Sequence, residues 1–185
     1  YLVEEEIITN VGINHKENFD YNLLLEEFKQ KIFLIEKKIN FIFKDVILII
    51  NDFESSLISL SGYKKLNGSQ LKKENVTYIL NSLKSKVNET EQDKYIVHIF
   101  NTNFLLDKKY IHNLPIGLFG DFYTQELSFF LLKENYYKNL KNIFSKCNLK
   151  IKKTISKSFI DGVNLINKNS NLKIFFKIEI DTNNS

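Results

Sequence analysis

The run Tyr95-Ile-Val-His-Ile-Phe-Asn-Thr-Asn-Phe-Leu-Leu-Asp107, with the turn Leu114-Pro-Ile-Gly-Leu-Phe-Gly-Asp121 and the closing run Leu127-Ser-Phe-Phe-Leu-Leu132, decides the fold. Branched and aromatic runs bounded by Asp, Asn, Pro and Gly are strand signals, so the stretch predicts two or three strands joined by a compact turn. Pro115, the only proline, presets the second position of a turn over 114–117, with Gly117 at the fourth, the pattern of a type I turn.

Outward from this stretch, helix and strand periods alternate. Tyr21, Leu24, Leu25, Phe28, Ile32, Ile35 and Ile39 recur at intervals of three and four, a helix whose N-cap falls on Asp20. The continuous run Asp45 to Asn51 predicts a strand buried on both faces of a sheet. Glu54 to Gln70, with its Ser and Gly, reads as an irregular or short-strand connector. Helices are expected over about 72–87 and from 134, the latter closing on Asn148 in the left-handed conformation. The run from Leu149 to Ile155 alternates apolar and basic residues as a half-exposed strand. A short helix over 158–166 and a final strand over 172–180 complete an α/β (α+β) chain, and residues 1–13 hold a possible first strand.

Composition narrows the function classes. Among 185 residues, 43% are hydrophobic and the net charge is +4, enough apolar mass for a packed core. The 26 basic residues are all Lys, balanced by 22 acidic ones. This mixture lacks the basic stripe of a nucleic-acid binder and any arginine for bidentate phosphate contacts. Cys147 stands alone, so it forms no disulfide framework and reads as core filler. No apolar run approaches the roughly 18 residues of a membrane span, and a soluble piece is expected. With no Met and a bulky Tyr1, the chain reads as part of a longer protein.

Catalytic patterns are missing. His15, His98 and His112 lack zinc-ligand spacing, and His98 inside an apolar strand reads as a hydrogen-bonded structural residue. Asp107 and Asp121 flank the turn as turn-formers rather than as an acid–base pair. No metal site, nucleophile elbow or phosphate-cradling loop is expected, and the chain is not read as an enzyme.

The central wording resembles the actin-like bacterial cell-division FtsA family. That family carries a strand of the form His-Ile/Val-Ile-Pro-x-x-Phe/Tyr-x-Ile-Asp, matched by Val97 to Asp107 with Asn101 in the proline position. A family loop Asn-Pro-x-Gly-Leu/Met-x-Gly is matched by Pro115, Ile116, Gly117, Leu118, Phe119 and Gly120, with Leu114 in place of Asn. Lys138-Asn139 and Cys147-Asn148-Leu149-Lys150 continue the likeness. The resemblance implies an actin-like (ribonuclease H-like) domain 1A over 1–66 and 151–185, and an inserted strand-helix-strand domain of the SHS2 type, called 1C, over 67–150.

It also implies a role. The family links the FtsZ ring to the inner membrane at the division septum, on its cytoplasmic face, recruits later division proteins and self-associates head to tail. Its membrane-binding tail would lie beyond this chain, leaving a subunit and partner interaction module whose contact candidates are Pro115 to Gly120. The apolar Ile116, Leu118 and Phe119 are either displayed there or folded back into the core. The family binds ATP, but the second phosphate loop would fall at Ile178 to Asn184, where Glu179 takes the aspartate position and the glycines are replaced. Side chains there obstruct the backbone approach to phosphate, so no cofactor is expected. The alternatives are an actin-like ATPase of another system, such as pilus assembly, and a nonspecific polyanion binder through Lys150, Lys152 and Lys153.

Overall fold

A computed structural model describes residues 4–8, 21–51 and 55–168. Its elements run α1 (Tyr21–Ile39), β1 (Asp45–Ile50), β2 (Ser55–Lys65), α2 (Lys73–Thr90), β3 (Lys94–Leu106), β4 (Lys109–Ile111), β5 (Phe122–Lys133), α3 (Glu134–Lys146), β6 (Lys150–Ser156) and α4 (Lys157–Lys168). The chain is a mixed α+β structure with two sheets. β1 and β6 pair in parallel, and β2, β3, β4 and β5 form an antiparallel four-stranded sheet in the order β2-β5-β3-β4. The four-stranded unit is thus inserted, in sequence, between two neighbouring parallel strands.

β2 is the largest departure from expectation. The stretch read as a connector is an eleven-residue strand, paired without a break to β5 from Ser55↔Leu132 to Lys65↔Phe122. Its serines disguise a period of two. Ile58, Leu60 and Gly62 face α2, whereas Leu57, Ser59, Ser61 and Tyr63 face outward. Ser59 and Thr102 each share a hydrogen bond with the Ser128 hydroxyl, at 2.8 and 3.0 Å, bridging three strands on that outer face. β2 therefore belongs to the inserted sheet, although the expected division at residue 67 groups it with the flanking parts.

The core lies between α2 and this sheet. β5 turns Tyr123, Leu127, Phe129 and Leu131 inward, each fully buried, against Ile79, Leu80, Leu83 and Val87 of α2. At about 25 cal/mol per Å2 of apolar surface removed from water, burying these side chains favours the folded unit. α3 docks by stacking Tyr137 on Tyr95, rings 3.9 Å apart, and by an edge contact of Phe144 with Phe28 of α1. Asn148 at φ +57° ends α3 in the left-handed conformation expected of it.

β1 corrects the expectation of a strand buried on both faces. Val46, Leu48 and Ile50 turn inward, but Ile47 and Ile49 remain 59% and 55% exposed among the described residues. A two-stranded sheet covered on one side accounts for that alternation. Lys150, Lys152 and Lys153 of β6 are exposed, and Lys152 lies 3.5 Å from Asp45. In the acidic run, Glu4 pairs with Lys38 at 2.7 Å and Glu6 with Lys31 at 3.0 Å. Asp20, the strand expected over 172–180 and Glu179 lie outside the described residues, as do most of residues 1–13.

Candidate interaction site

Two chain segments distant in sequence build the tip of the inserted unit. Leu66 to Leu71, after β2, runs beside Gly117 to Asp121, before β5. Leu66 N–H donates to Asp121 O at 2.7 Å, Leu71 N–H to Leu118 O at 2.8 Å, and Gly117 N–H to Leu71 O at 2.9 Å. The Gln70 side-chain amide adds a 2.6 Å bond to Gly117 O. These bonds leave the loop little freedom to fold inward.

The turn sits one residue later than the sequence pattern predicts. Leu118 N–H donates to Pro115 O at 3.2 Å, which makes Ile116 and Gly117 its central residues. Gly117 has φ +92°, the left-handed value required at the third position of a type II turn. The expected type I turn over 114–117 is therefore replaced by a turn over 115–118. Gly120 answers a different constraint, since a Cβ there would lie 2.7 Å from Leu106 Cδ1.

A second turn locks the tip from the other side. Asp107 and Lys108 have φ of +49° and +65°, both positive, as a two-residue hairpin between β3 and β4 requires. Asp107 Oδ1 accepts the backbone N–H groups of Asp121 and Phe122, each at 2.8 Å. The carboxylate is thereby committed to structure, in line with its reading as a turn-former.

The six sequence candidates consequently divide by role. Pro115 is buried, and Gly117 and Gly120 are half-buried. Ile116, Leu118 and Phe119 are displayed, 46%, 49% and 70% exposed. Tyr110 on β4 also stands exposed and was not visible as a candidate from sequence. Its position follows from pairing Tyr110 with Leu105 across a hairpin whose Asp-Lys turn carries no glycine signal.

His98 occupies a different junction. Its Nε2 accepts the backbone N–H of Ser156 at 3.2 Å, and its ring lies among Phe100, Phe130 and Phe159. Burial holds its pKa below the ordinary value, consistent with a neutral acceptor. The same desolvation raises the Cys147 thiol, which suits a packing role.

No group of metal-ligating side chains occurs among the described residues, and no helix there is long and apolar enough to cross a membrane. No protein-family model matches the chain, and no characterised protein matches it by sequence. The site is defined by its geometry: a rigid loop that presents apolar side chains to solvent.

Proposed function

We propose that this chain is a protein-interaction module of the FtsA type, an actin-like subunit piece whose inserted SHS2-type unit contacts a neighbouring subunit or a division partner. The observation that carries the reading is the display of Ile116, Leu118 and Phe119 on a loop pinned by backbone hydrogen bonds. Moving such side chains from half-exposed to buried is worth about 1 to 2 kcal/mol each, enough for a small hot spot. Rigidity adds to this, because a preformed loop loses little conformational entropy on binding.

The insertion of the unit between two parallel strands supports the actin-like assignment, as do the ordered motif matches from Val97 to Lys150. In this reading the parent protein is held at the cytoplasmic face of the inner membrane by a tail outside this chain, and contacts FtsZ through parts outside it. The module acts without catalysis and without ATP. A nucleotide titration showing tight, magnesium-dependent binding would overturn the last point.

The test is charge insertion at the tip. Ile116→Asp and Phe119→Asp are expected to keep the thermal midpoint within a few degrees, while self-association by sedimentation velocity and complementation of division are lost. Normal self-association and normal division in both folded variants would refute the module.

A further inference from the structure

Lysines adjoin, in sequence, the segments that hold the displayed loop. Lys72 and Lys73 follow Leu71, which exchanges backbone hydrogen bonds with Gly117 and Leu118. Lys108 and Lys109 follow Asp107, whose carboxylate holds the Asp121 and Phe122 N–H groups on the other side of the loop. Lys65 is paired with Phe122, and its ammonium lies 5.9 Å from that ring. All five are exposed, and none forms an ion pair among the described residues.

Acidic groups at this tip are few. Asp107 is engaged by two backbone N–H groups, Asp121 is exposed, and Glu74 sits in the first turn of α2, where it complements the helix dipole. This end of the unit therefore carries both exposed lysines and exposed apolar side chains. Because these lysines form no ion pair among the described residues, an opposite charge on a partner can bind them without breaking one.

We infer that the partner docking at this tip is an acidic peptide segment carrying at least two large apolar side chains, whose carboxylates meet Lys65, Lys72 and Lys108 while its apolar groups cover Ile116 and Phe119. This rests on the interaction-module reading and specifies the chemistry of its partner. The lysines supply steering and orientation, and the apolar crest supplies most of the affinity. Lysines, as flexible point charges, suit carboxylates spread along a chain better than one fixed bidentate group.

Selection of a random 12-residue display library on the intact chain tests it. Enriched peptides are expected to be acidic, with two or more Leu, Ile, Phe or Tyr. Their affinity is expected to fall at least tenfold in the folded double variant Lys108→Glu/Lys109→Glu and in Phe119→Asp, and to weaken between about 50 and 300 mM salt. Enriched peptides that are neutral or basic yet Phe119-dependent would overturn the acidic partner while leaving the interaction surface standing. Peptides indifferent to Phe119→Asp, or no enrichment together with no Phe119-dependent vesicle binding, would remove both. Phe119-dependent sedimentation with phosphatidylglycerol vesicles, without peptide enrichment, would replace the peptide by an anionic membrane.

Discussion

Asp107 and Phe122 are joined by a 2.8 Å hydrogen bond from the Phe122 backbone N–H to the Asp107 carboxylate, so the β3–β4 hairpin turn fastens the start of β5. Asp107→Ala removes the acceptor for both this N–H and that of Asp121, and places Ala at φ +49°. We expect a loss of about 1 to 3 kcal/mol in urea unfolding. Asp107→Asn, which tolerates the left-handed conformation and keeps an acceptor oxygen, is expected to lose less than half of that.

The two glycines of the loop fail for different reasons. Gly120→Ala drives a methyl within 2.9 Å of Asp107 Oδ2 and closer still to Leu106, at an expected cost of about 1 to 3 kcal/mol. Gly117→Asn meets no such clash, and Asn accepts positive φ, so a loss below about 1 kcal/mol is expected. Chemical denaturation of the two variants side by side separates steric from conformational demand.

Tyr123 is fully buried, and no described residue hydrogen-bonds its hydroxyl. Burial pushes its pKa up to about 12. Tyr123→Phe removes an uncompensated polar group without changing the ring, and is expected to be neutral or stabilising by about 1 kcal/mol. A loss of more than about 1 kcal/mol would contradict the packing described for β5.

His98 carries a pH signature. Its folded pKa lies below the ordinary 6.5, so the folded state binds its proton less readily than the unfolded chain does. The stability it contributes is present above about pH 6.5 and is lost as the pH falls through the folded pKa. His98→Gln keeps an acceptor for the Ser156 N–H but cannot titrate. The difference in thermal midpoint between wild type and this variant is expected to shift against wild type between pH 7.5 and pH 5.

Where side-chain period and chain direction agree, the structure follows the sequence closely. β3 and β5 are aromatic and branched, and α1 and α3 carry regular stripes, so their placement was legible. β2 was not, because serine is a poor strand signal taken alone. The Ser59 hydroxyl finds its partner in Ser128, sixty-nine positions away. The both-faces reading of β1 failed for a related reason, since an apolar run does not reveal how many neighbours cover it. At the tip, Pro115 and Gly117 announced a turn but not its register. Nor could the pattern decide whether Ile116 and Phe119 face in or out, because the bonds that settle it come from Leu66 to Leu71.

Ser55 and Leu132 face each other across the β2–β5 ladder, so the four-stranded unit begins and ends at one end of the same strand pair. A segment whose two ends meet behaves as a cassette: it can be lifted out and its host strands rejoined by a short linker, or grafted into another scaffold's surface loop. The tip can therefore be exchanged wholesale while β1 and β6 keep their pairing.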